Sequence, residues 1–445
     1  MKRKSLIAMA ILALASSYAA AQSNGEQAYV TSVGDNNSAT IDQTSSSGDV
    51  ATVNQTGVVN GKVDGGLSAT VTSTSGYGNT TNITQSGSSS NPKVWNVSVT
   101  QNGAVGETTN ITQSGSDLGA TVSQTNSAGD TDTIISNGTT SRATITQTNA
   151  GAQSANGTAN TVKIEQGDSN TSGPIYNSAA SVNQVSTGGN NVQIFQGNGV
   201  AWWPQNAIVS TVGGGNNATT ITQTGGPQTA SVAQQSENGD TVNITQGGNN
   251  GTWVDSSNGG SNTTAITQTD SLAGGNQTFL TQNKAFNETT TVNQSDVGGF
   301  NSAYITQTNE SGDFTNVTQS GAGWNDLTAY QENGSANHLD VTQSNDGSTY
   351  ANTAEVFQES ATNSHLTLSQ SGGGNSASAY QSGDNETLTL TQTGYDNSTQ
   401  APSGWVYGVT QLGSNNTGII TQTGYGNVAG LYQSGTGNYA SIIQH

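Results

Sequence analysis

Hydrophobic and polar residues alternate along this chain in a seven-residue unit that ends in glutamine. Typical copies are NATTITQ at 217–223 and NSAYITQ at 301–307. Position 5 is Ile, Val or Leu in 26 of 28 units, and the exceptions are Ala329 and Ala379. Because side chains alternate between the two faces of an extended strand, positions 1, 3, 5 and 7 share one face. The pattern therefore predicts β-strands with one dry face and one wet face.

The segments between units carry turn signals. Of the 27 intervals between closing glutamines, 17 measure 11 to 13 residues, and Gly, Ser, Asn and Asp fill the space between strands. All five prolines fall between units, as expected for a residue that cannot donate to a sheet ladder. Two strands and two turns make one coil, so 28 strands predict 14 coils and a rod of roughly 65 Å. Weaker copies of the unit lie at 67–73 and 131–137.

Stacked coils place the first-slot Asn above Asn and the closing Gln above Gln. Amide side chains both donate and accept hydrogen bonds, so such columns can satisfy themselves in a dry interior, with the position-5 aliphatic between them. The C-terminal coils have the shortest regular intervals and supply the candidate self-assembly residues. These are Gln370, Asn375, Gln381, Gln411, Asn416, Gln422, Asn427, Gln433, Asn438, Ile442 and Gln444.

Composition supports a repetitive chain over an ordinary globular enzyme. Only 30% of the 445 residues are hydrophobic and 8% are charged, with 58 Gly and no Cys, so neither disulfides nor thiolate metal sites are available. Residues 1–21 have a basic head, an apolar stretch and a small-residue cleavage signal, which predicts a secretory signal peptide. Its removal leaves five cations against 28 carboxylates, a charge of −23, which disfavours nucleic acid as a partner. No later apolar run is long enough for membrane insertion.

Three C-terminal stretches, 370–381, 422–433 and 433–444, fit the pattern Gln-x-Gly-x-x-Asn-x-Ala-x-x-x-Gln at every specified position. This pattern resembles the curlin repeat, the building unit of curli-type bacterial amyloid fibres. In looser form the resemblance covers residues 37–445, and residues 22–36 form an N-terminal segment in the place of the family's secretion-targeting region. The predicted fold is all-β, a cross-β, amyloid-like β-solenoid of stacked strand-turn-strand repeats with loop insertions.

The resemblance implies a secreted structural protein that self-assembles into extracellular fibres at the bacterial cell surface. Such fibres serve adhesion, cell aggregation and the biofilm matrix. The implied partners are further copies of the same chain, a related nucleator subunit and an outer-membrane secretion machinery. The alternatives are a minor or nucleating fibre subunit and a monomeric β-solenoid adhesin.

Catalytic and metal sites find little support in the residue pattern, so we expect no enzyme and no cofactor. His338 and His365 fall on the wet face, and a polysaccharide lyase or hydrolase would need clustered acids and bases that the chain does not show. Acidic residues often take the first slot of a unit, where we expect their charge to temper self-association and not to bind calcium. The apolar loop at Trp202-Trp203 is a candidate carbohydrate or fibre contact, or a lid over the solenoid.

Overall fold

The computed structural model of this protein describes residues 25–34, 37–57, 67–87, 95–116, 118–151, 158–167, 178–197, 204–270, 275–401 and 407–445. Within these ranges every regular element is a β-strand, and the strands form two parallel sheets. The fold prediction, an all-β solenoid, is confirmed. The predicted signal peptide and Trp202-Trp203 lie outside the described residues.

The first sheet contains 17 of the described strands. They are β1 (Gln27–Val33), β3 (Val50–Gly57), β5 (Thr80–Gly87), β7 (Thr108–Ser116), β9 (Thr131–Thr139), β11 (Thr161–Gln166), β13 (Asn191–Gly197), β15 (Ala218–Thr224), β17 (Thr241–Gly247), β19 (Thr263–Asp270), β21 (Thr289–Asp296), β23 (Phe314–Gly321), β25 (His338–Asn345), β27 (His365–Gly373), β29 (Thr387–Tyr395), β32 (Thr417–Tyr425) and β35 (Tyr439–Gln444).

The second sheet contains the other 18 described strands. They are β2 (Ser38–Thr44), β4 (Leu67–Thr74), β6 (Trp95–Asn102), β8 (Gly119–Thr125), β10 (Ser141–Thr148), β12 (Ser178–Val185), β14 (Gln205–Val212), β16 (Gln228–Gln235), β18 (Asn250–Ser257), β20 (Gly275–Asn283), β22 (Phe300–Thr308), β24 (Trp324–Glu332), β26 (Asn352–Glu359), β28 (Ser376–Asp384), β30 (Ser398–Thr399), β31 (Val409–Ser414), β33 (Val428–Ala429) and β34 (Leu431–Thr436).

The chain passes from one sheet to the other at each turn, so a strand pairs with the equivalent strand of the next coil. The pairing keeps the units in register: Ile221 of β15 faces Ile244 of β17, and Gln223 faces Gln246. In each sheet the pairs run as one series, from β1 to β35 in the first and from β2 to β34 in the second. The inward side chains of the two sheets meet in one narrow core of Ile, Val, Leu and Ala.

The stack is longer than the predicted 14 coils. Five full strands, β1, β4, β9, β14 and β18, add to the 28 counted units and give 17 levels in the first sheet and 16 in the second. The count was low because a closing Gln defined each unit, whereas Ser or Thr occupies the equivalent buried position in four of these strands. These residues are Ser73, Ser136, Thr211 and Ser256. At ~4.8 Å per level the rod measures roughly 80 Å, not 65 Å.

The stack also starts earlier than the predicted boundary at residue 37. Strand β1 lies in the N-terminal segment and pairs in parallel with β3, so that Val30 faces the buried Val53. Its side chains are all exposed because the described residues provide no coil on its other edge. Whether this segment directs secretion stays a prediction.

Most of the described turns from the second sheet into the first contain two residues with left-handed backbone. In the turn between β2 and β3 these are Ser45 (φ 55°) and Gly48 (φ 70°). This conformation is accessible to Gly and, at modest cost, to Asn and Ser, which explains why these residues fill the segments between units. Pro204 and Pro227 stand immediately before β14 and β16, outside the ladder. The turn signals in the sequence are confirmed at these positions.

Candidate self-assembly ladder

The closing glutamines form continuous columns inside the solenoid. In the first sheet Gln343 Nε2 donates to Gln370 Oε1 at 2.8 Å, and Gln370 Nε2 donates to Gln392 Oε1 at 2.8 Å. The same amide of Gln370 also donates to the backbone carbonyl of Thr353 in the facing sheet, at 2.9 Å. These glutamines are fully buried. Each amide therefore connects two coils along the stack and the two sheets across it.

First-slot asparagines form a second set of columns, with donors pointing the other way. In the second sheet Asn375 Nδ2 donates to Asn352 Oδ1 at 3.1 Å, and Asn397 Nδ2 donates to Asn375 Oδ1 at 3.0 Å. The backbone N–H of Asn397 donates to the same Asn375 oxygen at 3.2 Å. The Asn side chain thus accepts hydrogen bonds from the next coil at the turn, just outside the backbone ladder of the strands.

The glutamine columns are interrupted where Ser or Thr replaces Gln. Among the described residues, Gln113 Nε2 and Gln184 Nε2 have no hydrogen-bond partner, and their next residues along the columns are Ser136 and Thr211. At Ser73, another such position, the hydroxyl donates to Asp49 Oδ2. The weaker copy at 67–73 predicts the substitution at Ser73. The copy at 131–137 is one residue out of register, because Ile134 and Ser136 face inward in place of Ile135 and Asn137. Thr211 lies in neither copy.

Acidic residues in the first slot are buried. Glu107 and Glu288 are fully inside, and Glu288 Oε2 accepts the backbone N–H of Asp313 at 2.9 Å. Burial, together with the nearby Asp130 charge, raises the pKa of Glu107 to about 9. Burial, with the Asp313 charge, raises the pKa of Glu288 to about 8. These two carboxyls are protonated at neutral pH, so the expectation that their charge tempers self-association is wrong for both.

Two further pairs of carboxyls lie within single turns. Glu310 and Asp313 are buried together, and burial plus the Asp313 charge raises the pKa of Glu310. Burial also raises the pKa of Glu237, which lies beside Asp240. Glu310 therefore favours its protonated form at neutral pH, whereas Glu237, with a pKa of about 7, is only partly protonated there. The interior carries less negative charge than the composition implies.

The C-terminal end presents both columns to solvent. Gln422 Nε2 donates to Gln444 Oε1 at 3.0 Å, and Gln444 Nε2 donates to the carbonyl of Val428 at 2.9 Å. Gln433 Nε2 donates to the carbonyl of Thr417 at 3.0 Å. In the preceding coils the Nε2 atoms of Gln411 and Gln422 also donate to the Gln of the next coil toward the C-terminus. Among the described residues no coil follows Gln433 and Gln444, so their Nε2 atoms have no such glutamine acceptor. Ile442 is partly exposed, whereas Ile420 directly beneath it is fully buried.

All eleven predicted ladder residues occupy these inward positions. Gln370, Gln422 and Gln444 belong to the first-sheet glutamine column, and Gln381, Gln411 and Gln433 to that of the second sheet. The four asparagines divide in the same way, as Asn416 and Asn438 lie in the first sheet column and Asn375 and Asn427 in the second. The structure places them within one molecule, and their role between molecules stays a prediction.

The family comparison agrees with the C-terminal coils. The model of the curlin associated repeat matches residues 361–394 and 413–445. These two segments are similar to curlin repeats. They contain all of the predicted ladder residues except Gln411 and carry the two sheets through β27 to β29 and β32 to β35. No curated protein matches the chain.

Other site types have little support alongside the curlin repeats. Within the described ranges no group of three or more His, Asp or Glu side chains is arranged to hold a metal ion. No helix in the described part of the chain is long and apolar enough to cross a membrane. His338 stacks on Phe314 on the outer face, with ring centroids 4.6 Å apart, and contacts Asp340.

Proposed function

We propose that this chain is a secreted, non-catalytic structural protein whose copies stack end to end into extracellular fibres at the bacterial cell surface. The two curlin repeats and the parallel β-solenoid support a curli-like structural role. The fibres would serve adhesion, cell aggregation and the biofilm matrix. A related nucleator subunit and an outer-membrane secretion machinery are the proposed further partners.

The observation that carries this proposal is the open edge of the last described coil. Strands β34 and β35 each pair on one edge only within the described residues, and their inward residues Leu431, Gln433, Ile442 and Gln444 form a complete core face. At the other end β1 and β2 are likewise paired on one edge, with Val30, Ala39 and Ile41 facing the core side. The aliphatic residues match at both ends, and Gln433 would meet Gln43, whereas Gln444 would meet Ser32 of β1. The aliphatic core and one glutamine column can therefore continue from one molecule into the next.

Seeded growth of the purified mature chain tests this function. Wild-type protein should form thioflavin-positive fibres near neutral pH, and Ile442→Lys should stop elongation because an unpaired ammonium would enter the dry stack. Gln444→Ala combined with Gln433→Ala should slow elongation by removing both ladder donors.

Ser441→Thr is the matched control, since Ser441 lies on the outward face of the same strand. If the Ile442 and Gln variants elongate seeds like wild type, the templating edge lies elsewhere. If wild-type protein forms no fibres under any near-neutral condition, the monomeric adhesin becomes the better interpretation.

A further inference from the structure

A shallow cleft crosses one side of the solenoid at the beginning of the second-sheet strands. It has a volume of about 540 Å³ and touches β14, β16, β18, β20, β22 and β24 or the turns before them. Six neighbouring levels at ~4.8 Å spacing give it a length of about 24 Å along the stack. The cleft is therefore an open groove suited to an extended chain and not an enclosed pocket.

Aromatic side chains form the apolar part of the cleft. Trp324 is 61% exposed, and its ring centroid lies 6.2 Å from that of Phe300. Trp253 lies over Gly251, where a Cβ would approach the indole ring to 2.7 Å, and it stacks on Phe279 with centroids 4.4 Å apart. The missing side chain at Gly251 thus makes room for the Trp253 ring against the sheet.

Uncharged polar side chains line the rest of the cleft. Asn206, Thr229 and Gln277 project from β14, β16 and β20, and all three are partly exposed. In the described part of the chain, the side-chain amides of Asn206 and Gln277 make no hydrogen bond. Each amide can donate and accept at once, as ligand hydroxyl groups also do.

The cleft is uncharged although the chain as a whole is strongly acidic. None of the described residues that line it is charged, whereas the formal net charge of the chain is −20. Such a molecule repels polyanions, and the cleft offers no carboxylate for a basic partner. The ligand that fits this lining is a neutral, extended polymer. Its apolar C–H faces would pack on the aromatic rings, and its hydroxyl groups would form hydrogen bonds with the side-chain amides.

We propose that this cleft binds a neutral polysaccharide, with Trp253, Phe300 and Trp324 contacting the sugar rings and Asn206, Thr229 and Gln277 contacting their hydroxyls. The cleft is complete within one molecule, so this binding goes beyond the proposed fibre function and does not require assembly.

The test uses the freshly purified, unassembled mature chain and soluble polysaccharides in affinity gel electrophoresis. Hydroxyethyl cellulose, laminarin and dextran are the neutral probes, and polygalacturonate is the anionic one. At least one neutral polymer should retard the wild-type protein. Trp324→Ala should weaken the apparent affinity about ten-fold, and Trp324→Phe should keep most of it. Gln277→Ala should weaken binding less.

Tyr77→Ala is the control, because Tyr77 is 63% exposed but lies at a turn far along the chain from the cleft. It should bind like wild type. Three results would overturn the proposal: unchanged binding by Trp324→Ala, equal retardation by polygalacturonate, or binding of no neutral probe. If the last result came with altered lateral bundling of Trp324→Ala fibres, the cleft would instead be a contact between copies of this chain.

Discussion

At the residue scale, a buried glutamine inside an unbroken column makes three hydrogen bonds. Gln319 Nε2 donates to Gln343 Oε1 at 2.8 Å and to the Ser302 carbonyl at 2.7 Å, while its Oε1 accepts from Gln294 at 2.7 Å. Removing such an amide leaves several buried groups without partners, and each costs about 1 to 3 kcal/mol. The contribution of the glutamine column to stability therefore depends on an unbroken series of amide hydrogen bonds.

Truncating this amide should destabilise the folded chain strongly. We expect Gln319→Ala to lower the free energy of unfolding by about 3 kcal/mol or more, as measured by urea unfolding of the soluble protein followed by circular dichroism. Thr318→Ala, on the outward face of the same strand, should cost less than about 1 kcal/mol. Equal losses in the two variants would show that the amide column adds nothing beyond packing.

Buried glutamic acid makes the stability depend on pH. Folded Glu107 keeps its proton up to a pKa of about 9, whereas the unfolded chain releases it near the ordinary value of 4.5. Between these values the folded state binds more protons, so stability falls as pH rises, by up to about 1.4 kcal/mol per pH unit. Glu107→Gln cannot ionise and should be more stable than wild type at pH 8 but not at pH 5.

Urea unfolding at both pH values measures this difference. Asp255→Asn is the control, because it also replaces a carboxyl by an amide but at a side chain that is exposed on the outer face of β18. A wild-type stability that stays flat from pH 5 to pH 8 would mean that Glu107 is solvated in solution.

At the scale of the coil, the C-terminal levels are the most regular part of the stack. Gln411, Gln422, Gln433 and Gln444 follow one another at 11-residue intervals, and residues 411–444 carry no charge and no proline. The amides continue without a break from Gln411 to Gln433 and from Gln422 to Gln444. Toward the middle of the chain Thr211 interrupts the column, and Gln184 loses its donor contact.

A peptide of residues 411–445 should therefore assemble with a shorter lag than a peptide of residues 196–246. The second peptide contains two prolines, a column break at Thr211 and the buried acids Glu237 and Asp240. Low charge and high β propensity favour cross-β stacking, whereas each of those features opposes it. Thioflavin fluorescence at equal molar concentration measures the two lag times. Equal lags would contradict the ranking.

For the whole molecule, the two ends of the rod differ and complement each other. At the C-terminal end, the side-chain amides of Gln433 and Gln444 can donate hydrogen bonds. At the N-terminal end, Val30 is exposed and Ile41 is partly exposed, and both occupy positions that are buried in the inner coils. A stack of such molecules has a direction, because an end can join only the opposite end of another copy. Blocking one end leaves the other end competent.

Two single variants should demonstrate this direction. Ile41→Lys blocks the N-terminal end and Ile442→Lys the C-terminal end, so neither should polymerise alone. Mixed in equal amounts, they should form heterodimers and nothing longer, through the one competent end of each, as measured by size exclusion with light scattering. Long fibres from the mixture, or no association at all, would rule out end-to-end stacking.

Strand periodicity and side-chain orientation could be predicted from the sequence because they are local. Position 5, for example Ile221 and Ile305, is buried as predicted. The number of levels could not be counted in the same way. Strands such as β14 close with Thr211 in place of Gln, and only the in-register partners Gln184 and Gln234 identify it as a level of the ladder.

The sequence by itself determined the all-β solenoid, its inward set of Asn, aliphatic and Gln, and the curlin repeats at its C-terminal end. These features follow from the two-residue alternation of side chains along a strand and from the repetition of the unit, and both can be read directly from the sequence. Only the tertiary structure decided that Glu107 and Glu288 are protonated and that Trp253, Phe300 and Trp324 share one cleft. In both cases, residues about 25 positions apart in the sequence lie next to each other in neighbouring coils. Their burial and their contacts therefore depend on how the coils stack, which the linear sequence does not show.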